Sequence, residues 1–226
     1  MNDIRKIFWE TIKIFKKNNV LEHVVLIGSW AEHIYEVSDY LKDFKANLKT
    51  KDIDFLIKNI NKPKEGINII EILEKEGYET SIDYISGIFK FYKGKDLEIE
   101  FIVREIGKGQ SESYIVPSFG IKAEGLRHTD LLVRNTVNIE IKNIEITVPT
   151  PQAYLLQKII INNQRKNKAD KDYLGIENLL ENIKRSKREY KKLIDLCTTL
   201  TKKQKNSIDI FLNDNLFALQ FYIHSQ

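Results

Sequence analysis

Cysteine is almost absent. Cys197 is the only one in 226 residues, so no intrachain disulfide can form, and a reducing, cytoplasmic setting is the simplest expectation. Long apolar runs are missing as well. Nothing approaches about 18 consecutive apolar residues, so no membrane-crossing helix is expected. The opening Met1-Asn2-Asp3-Ile4-Arg5-Lys6 is broken by charge and carries no signal-peptide apolar core. Excess charge of one sign is slight. With 36 Lys+Arg against 32 Asp+Glu, the net charge of +4 is too small to argue for a nucleic-acid partner by itself. The four histidines (His23, His33, His128, His224) share no metal-ligand spacing, so a zinc site is not expected. No internal repeat is evident. What remains is 42% hydrophobic and 30% charged, close to globular averages, which excludes disordered and collagen-like classes. The length suits one large domain or two small ones and buries a sizeable core without staples.

Apolar residues at Ile4, Ile7, Phe8, Ile12 and Phe15 recur at helical spacing and predict a helix over 3–18. Val24-Val25-Leu26-Ile27 reads as a buried strand that meets a turn at Gly28-Ser29, and a helical pattern follows over 30–44. A strand is expected at 52–57. Pro63 suits the first turn of a helix that stops at Gly77. Three strands, 80–85, 88–92 and 97–103, are expected as an antiparallel meander through turns at Ser86-Gly87 and Lys93–Asp96. Residues 104–120 read as a loop with one strand near Ile115-Val116. Leu131–Val133 and the alternating Ile139–Val148 run suggest two further strands. Pro149-Thr150-Pro151 breaks the pattern, and helices are expected at about 151–164, 168–183, 186–199 and 202–222. This places an α+β domain at 1–149 and a helical domain at 150–226.

Three segments carry chemistry. Asp52 and Asp54 lie two apart on a strand, so both side chains point to one face, about 7 Å apart along the chain. Neighbouring carboxylates repel unless a cation sits between them. A hard divalent ion such as Mg²⁺ prefers oxygen ligands and keeps substrate phosphates as others. Glu98 and Glu100 repeat the spacing on a neighbouring strand, and either can supply a third carboxylate. Gly28-Ser29 precedes a helix, where backbone N–H groups and the Ser29 hydroxyl can meet an anion. Each piece also has a plain reading: Asp-x-Asp and Glu-x-Glu as solvated strand faces, Gly-Ser as an ordinary turn. The order and strand context of all three favour one site.

The motifs Gly28-Ser29-Trp30-Ala31, Thr50-Lys51-Asp52-Ile53-Asp54-Phe55-Leu56 and Glu100-Phe101-Ile102 resemble the nucleotidyltransferase superfamily of the DNA polymerase beta type, in its minimal bacterial and archaeal branch. The resemblance covers roughly residues 20–175. It implies a mixed β-sheet flanked by helices with a helical bundle behind it. It implies an enzyme that moves a nucleoside monophosphate from an NTP to a hydroxyl, releasing pyrophosphate. Gly28 and Ser29 would hold the triphosphate, Asp52 and Asp54 would bind Mg²⁺, and Glu100 would be the third metal-binding, catalytic carboxylate, with Glu98 as its competitor. The acceptor is open: a tRNA, a protein hydroxyl or a small molecule.

In the helical half, the resemblance implies that Lys158 and Lys171 lie over the nucleotide, with Arg165 and Lys168 as weaker candidates. All four also read as ordinary helix-surface cations, supported by i,i+4 pairs such as Lys168 with Asp172. Trp30 and the cation at Lys49 depart from the family pattern. The basic run Lys184–Lys192 suits either a solvated turn or an RNA backbone. It supports the alternative of a non-catalytic module that binds nucleic acid or a protein partner. Cys197 is expected in the core. Leu212, Leu216, Phe217 and Leu219 mark the last helix as packed, against the bundle or a second protomer.

Overall fold

Phe8, Ile12 and Phe15 fall on one face of helix α1 (Asn2–Lys17) and are fully buried. They pack on the sheet: the Phe15 ring lies 4.8 Å from Phe55 and 6.1 Å from Phe101. The computed structural model describes residues 2–48, 50–95, 97–105, 113–162 and 169–214, with the side chains of 2, 3, 169–172, 213 and 214 excepted.

Seven strands form the main sheet: β1 (Val24–Ile27), β2 (Asp52–Ile57), β3 (Glu79–Ile82), β4 (Phe89–Lys93), β5 (Leu97–Arg104), β6 (Ser113–Val116) and β7 (Ile121–Leu126). Their order is β1-β2-β5-β4-β3. The sheet is mixed: β2 and β5 run parallel, whereas β1–β2, β4–β5 and β3–β4 are antiparallel. One edge of β5 is shared. Leu97–Glu100 pair with β4, and Ile102–Arg104 pair in parallel with β7, which carries β6. Along β5, Leu97, Ile99 and Phe101 are buried on the α1 side, while Glu98 and Glu100 occupy the opposite face, as alternation requires.

A second sheet is the hairpin of β8 (Thr136–Ile141) and β9 (Ile144–Pro149). Its turn residues Lys142 and Asn143 both have positive φ, 51° and 63°, the signature of a two-residue turn whose twist matches its strands. Helices α2 (Ser29–Val37), α3 (Ile69–Lys75) and α4 (Asp130–Arg134) flank the sheets. Helices α5 (Pro151–Asn162), α6 (Ala169–Lys184), α7 (Lys187–Thr198) and α8 (Lys202–Asp214) form the C-terminal bundle. Helix α5 is buried nearly all round, so it is the bundle's central element, and its apolar residues continue the cluster that fills the sheet. The Tyr35 hydroxyl donates to the Pro149 carbonyl at 2.7 Å and ties α2 to the end of β9.

Several expectations change. The helix expected over 30–44 ends at Val37, because Asp39 and Asp43 take positive φ, 52° and 60°, and fold the chain into turns. Pro63 lies in a turn, and α3 starts only at Ile69 behind the cap Asn68, whose side chain accepts from the Glu71 N–H. Leu131–Val133 belong to helix α4 rather than a strand. The alternating 139–148 run is a hairpin, not a single strand. Strand β7 was not expected: its Ile-Lys-Ala-Glu alternation is short, and only pairing with β5 and β6 defines it. Trp30, the second residue of α2, is fully buried and stacked on Phe8 of α1 at 4.1 Å. Leu216, Phe217, Leu219, His224, Lys49, Arg165 and Lys168 lie outside the described residues. Among the described residues, no helix is long and apolar enough to cross a membrane.

Candidate active site

The parallel register of β2 and β5 sets Asp52 beside Glu98 and Asp54 beside Glu100. Directly paired residues project to the same side, so four carboxylates share one face of the sheet. Of the two glutamates, Glu100 lines a cleft of about 310 Å³ together with Asp52, Asp54, Gly28, Ser29, Lys158 and the unanticipated Glu32 and Glu124. Glu98 lies outside that wall. The α5 and α6 residues Tyr154, Gln157, Lys158 and Gly175 close the opposite side.

Gly28 caps α2 with φ +71° and ψ −158°, a conformation that only glycine adopts without strain. The space also demands it: a Cβ at Gly28 would stand 2.5 Å from Asp54 Oδ2. The β1–α2 turn therefore lies directly against the second aspartate. The first N–H groups of α2 have no acceptors within their own helix and carry its positive end toward the cleft. Asp52 is pre-oriented by Thr50, whose hydroxyl donates to Oδ2 at 3.1 Å and accepts the Asp52 N–H at 3.2 Å.

Glu100 has a cationic support on the other side. Lys90, its register partner on β4, donates to Glu98 at 2.7 Å and also to Glu100. Burial lowers the Lys90 affinity for a proton, but the hydrogen bonds to both glutamates outweigh it and hold the ammonium charged well above its usual range. The two carboxylates diverge. Burial pushes Glu100 above the usual carboxylate value and the neighbouring Glu98 charge adds to this, against the Lys90 hydrogen bond. For Glu98, burial also raises the value, but hydrogen bonds from Lys90 and Tyr92 win and leave it low. One ammonium thus favours the charge on Glu98 and lets Glu100 hold a proton longer.

Lys158 Nζ lies 3.3 Å from Glu32 Oε1 and 5.0 Å from the centroid of the Tyr154 ring. Lys171 falls within α6, with its side chain outside the described set. The basic run over 184–192 spans the α6–α7 turn and the first half of α7. Lys184 pairs with Glu181 at 3.1 Å, Lys192 with Glu189 at 2.7 Å and Lys191 with Asp195 at 3.4 Å, so these cations are answered within their own helices.

A family model described as nucleotidyltransferase matches residues 8–198. The chain belongs to that family. No curated protein matches this nucleotidyltransferase by sequence. Among solved structures it is similar to an antigenic nucleotidyltransferase-like protein from Paracoccidioides brasiliensis, at 12% identity and TM-score 0.52, over 98% of this chain and 92% of that one. It also matches ANT(2'')-Ia in complex with adenylyl-2''-tobramycin, at 14% identity and TM-score 0.43, over 95% of this chain and 99% of that one. At 12% identity, the likeness to the Paracoccidioides protein speaks for the fold alone. The mixed sheet flanked by helices is the nucleotidyltransferase architecture.

Among the described residues, no group of three or more His, Cys, Asp and Glu is arranged to hold a metal ion by itself. The donor set is nonetheless an oxygen set. Asp52 and Asp54 share one strand face, and the glycine turn clears space beside Asp54 Oδ2. Mg²⁺ is commonly held by one or two carboxylates, with waters and substrate phosphates completing its shell, so these residues fit that ion.

Lys90, Glu32, Glu124 and Gly175 escaped sequence reasoning. A register of Lys90 against Glu100 exists only once β4 pairs with β5, and Gly175 meets Lys158 only through helix packing.

Proposed function

We propose that this nucleotidyltransferase transfers a nucleoside monophosphate from an NTP to a hydroxyl acceptor in a Mg²⁺-dependent reaction. The observation that carries the reading is the shared cleft, where Asp52, Asp54 and Glu100 face the Gly28-Ser29 turn across from Lys158. Gly28 lets the α2 N-terminus approach a triphosphate, and Ser29 donates to a phosphate oxygen. Asp52 and Asp54 would hold Mg²⁺, which when bound supplies Lewis-acid stabilisation of charge on the phosphates. Glu100, held on the cleft wall by Lys90, takes the proton from the acceptor hydroxyl. Its affinity for a proton, raised by burial, suits it to that task. Lys158, with Lys171 as a second candidate on α6, offsets the negative charge that builds on the leaving pyrophosphate.

The acceptor is drawn from the hydroxyl-bearing classes: a small molecule, a tRNA end or a protein side chain. The alternative of a non-catalytic binding module draws on the basic run over 184–192, where three of the six cations, Lys184, Lys191 and Lys192, pair with acidic neighbours on their own helices, whereas the acidic cleft favours the enzyme.

The test is equilibrium binding of labelled NTP with Mg²⁺, followed by incubation with RNA, protein and small-molecule fractions to see which acquires label. Wild type is expected to bind and to label one fraction, and Asp52→Ala with Asp54→Ala is expected to abolish both. NTP binding unchanged in the double variant would overturn the reading.

A further inference from the structure

Gly175 is the seventh residue of the 16-residue helix α6. Glycine is among the poorest helix formers, so its presence mid-helix needs a reason. The reason is visible in space. A Cβ at Gly175 would stand 3.1 Å from Lys158 Nζ, tighter than ordinary contact. On its other side the same ammonium meets Glu32, a carboxylate only 4% exposed that lies three residues into α2 after Ser29. The ring of Tyr154, one turn earlier on α5, lies beneath it. Lys158 itself is largely enclosed, its side chain 14% exposed. Three elements thus converge on one ammonium group at the cleft wall.

We propose that Gly175 and Glu32 form a seat for Lys158 and that Gly175 is a positioning residue for the triphosphate. Glu32 anchors the charge from α2, and the missing side chain on α6 leaves the volume in which the ammonium stands. The inference rests on the reading of Lys158 as a phosphate contact. It goes further in assigning the placement of that contact to a residue that has no side chain of its own to offer the nucleotide. A methyl group at 175 makes the ammonium give by a few tenths of an ångström within its seat, so the pair with Glu32 holds while the helix that carries the methyl improves. Stability and nucleotide binding therefore move in opposite directions, which a merely structural glycine does not do.

The experiment is a double-mutant cycle of Gly175→Ala and Lys158→Met, read by Mg²⁺-NTP binding and by thermal melting. In the wild-type background Gly175→Ala is expected to weaken NTP binding about tenfold, a partial loss of one charge-assisted contact. It is expected to raise the melting midpoint by roughly 2–4 °C. In the Lys158→Met background the same substitution is expected to leave binding unchanged and still raise the midpoint. If Lys158→Met weakens binding but Gly175→Ala does not, the seat is overturned. Weakening by Gly175→Ala that persists without Lys158 overturns it too, since the loss then travels by another route. A lower midpoint for Gly175→Ala in the Lys158→Met background shows a glycine required by packing alone, with the same consequence. If Lys158→Met binds NTP like wild type, the phosphate-contact reading of Lys158 itself fails, and the seat with it.

Discussion

Replacing Gly28 with alanine is the sharpest perturbation of the cleft, because two costs meet at one atom. The backbone at φ +71° and ψ −158° lies where a residue with a Cβ is strained by about 1–3 kcal/mol. The new Cβ would also start 2.5 Å from Asp54 Oδ2. Normal carbon contacts begin near 3.5 Å, so the turn or the carboxylate must yield by about 1 Å. At 2–4 °C per kcal/mol for a chain of this size, the strain alone lowers the melting midpoint by roughly 2–12 °C. In the role proposed for Asp54, displacement of its carboxylate by about 1 Å costs on the order of 100-fold in turnover. Thermal melting and NTP turnover with Mg²⁺ read the two effects separately. In an Asp54→Ala background the contact is gone and only backbone strain remains, so the melting loss from Gly28→Ala shrinks without vanishing. An alanine variant that melts and turns over like wild type would refute the claim that the turn and Asp54 are built against each other.

Lys90→Met removes the counter-charge of two half-buried glutamates. Because the lysine is 36% exposed, solvent moderates the loss to about 1–2 kcal/mol at neutral pH. The depressed Glu98 contributes stability above its unfolded value that disappears as pH falls through its folded one, so the deficit of the variant narrows in acid, as melting curves from pH 5 to 2 will show. Burial, followed by the Arg5 charge for His33 and the Lys203 charge for His128, holds both histidines below their ordinary value. The unfolded chain therefore binds more protons just below pH 6.5, stability falls as pH drops through that region, and His33→Gln flattens the slope. Burial pushes the Cys197 thiol up to about 11. A thiol reagent at pH 8 should label none of the folded protein and one site per chain in denaturant.

The local pattern already contained most of the nucleotidyltransferase core. Apolar alternation marked β2 and β5, and period two alone set Asp52 with Asp54 and Glu98 with Glu100 on single faces. The Val24–Ile27 run and Gly28 located the turn. Reading failed in two ways, one local and one long-range. Leu131–Val133 are apolar enough for a strand, but Thr129, whose carbonyl accepts from the Leu132 and Val133 N–H groups, starts a short helix there. Strand β7 exists because two neighbours pair with it.

The choice between Glu98 and Glu100 shows the same division. Spacing makes the two equivalent. Both stand on the same sheet face and both reach Lys90, but Glu100, paired with Asp54, lines the cleft and Glu98, paired with Asp52, does not. Chain chemistry therefore determined which acidic side chains share a strand face, since periodicity is local. Which of them meet, and which lysine or glycine supports them, was decided by strand register and helix packing, because those contacts join residues dozens of positions apart.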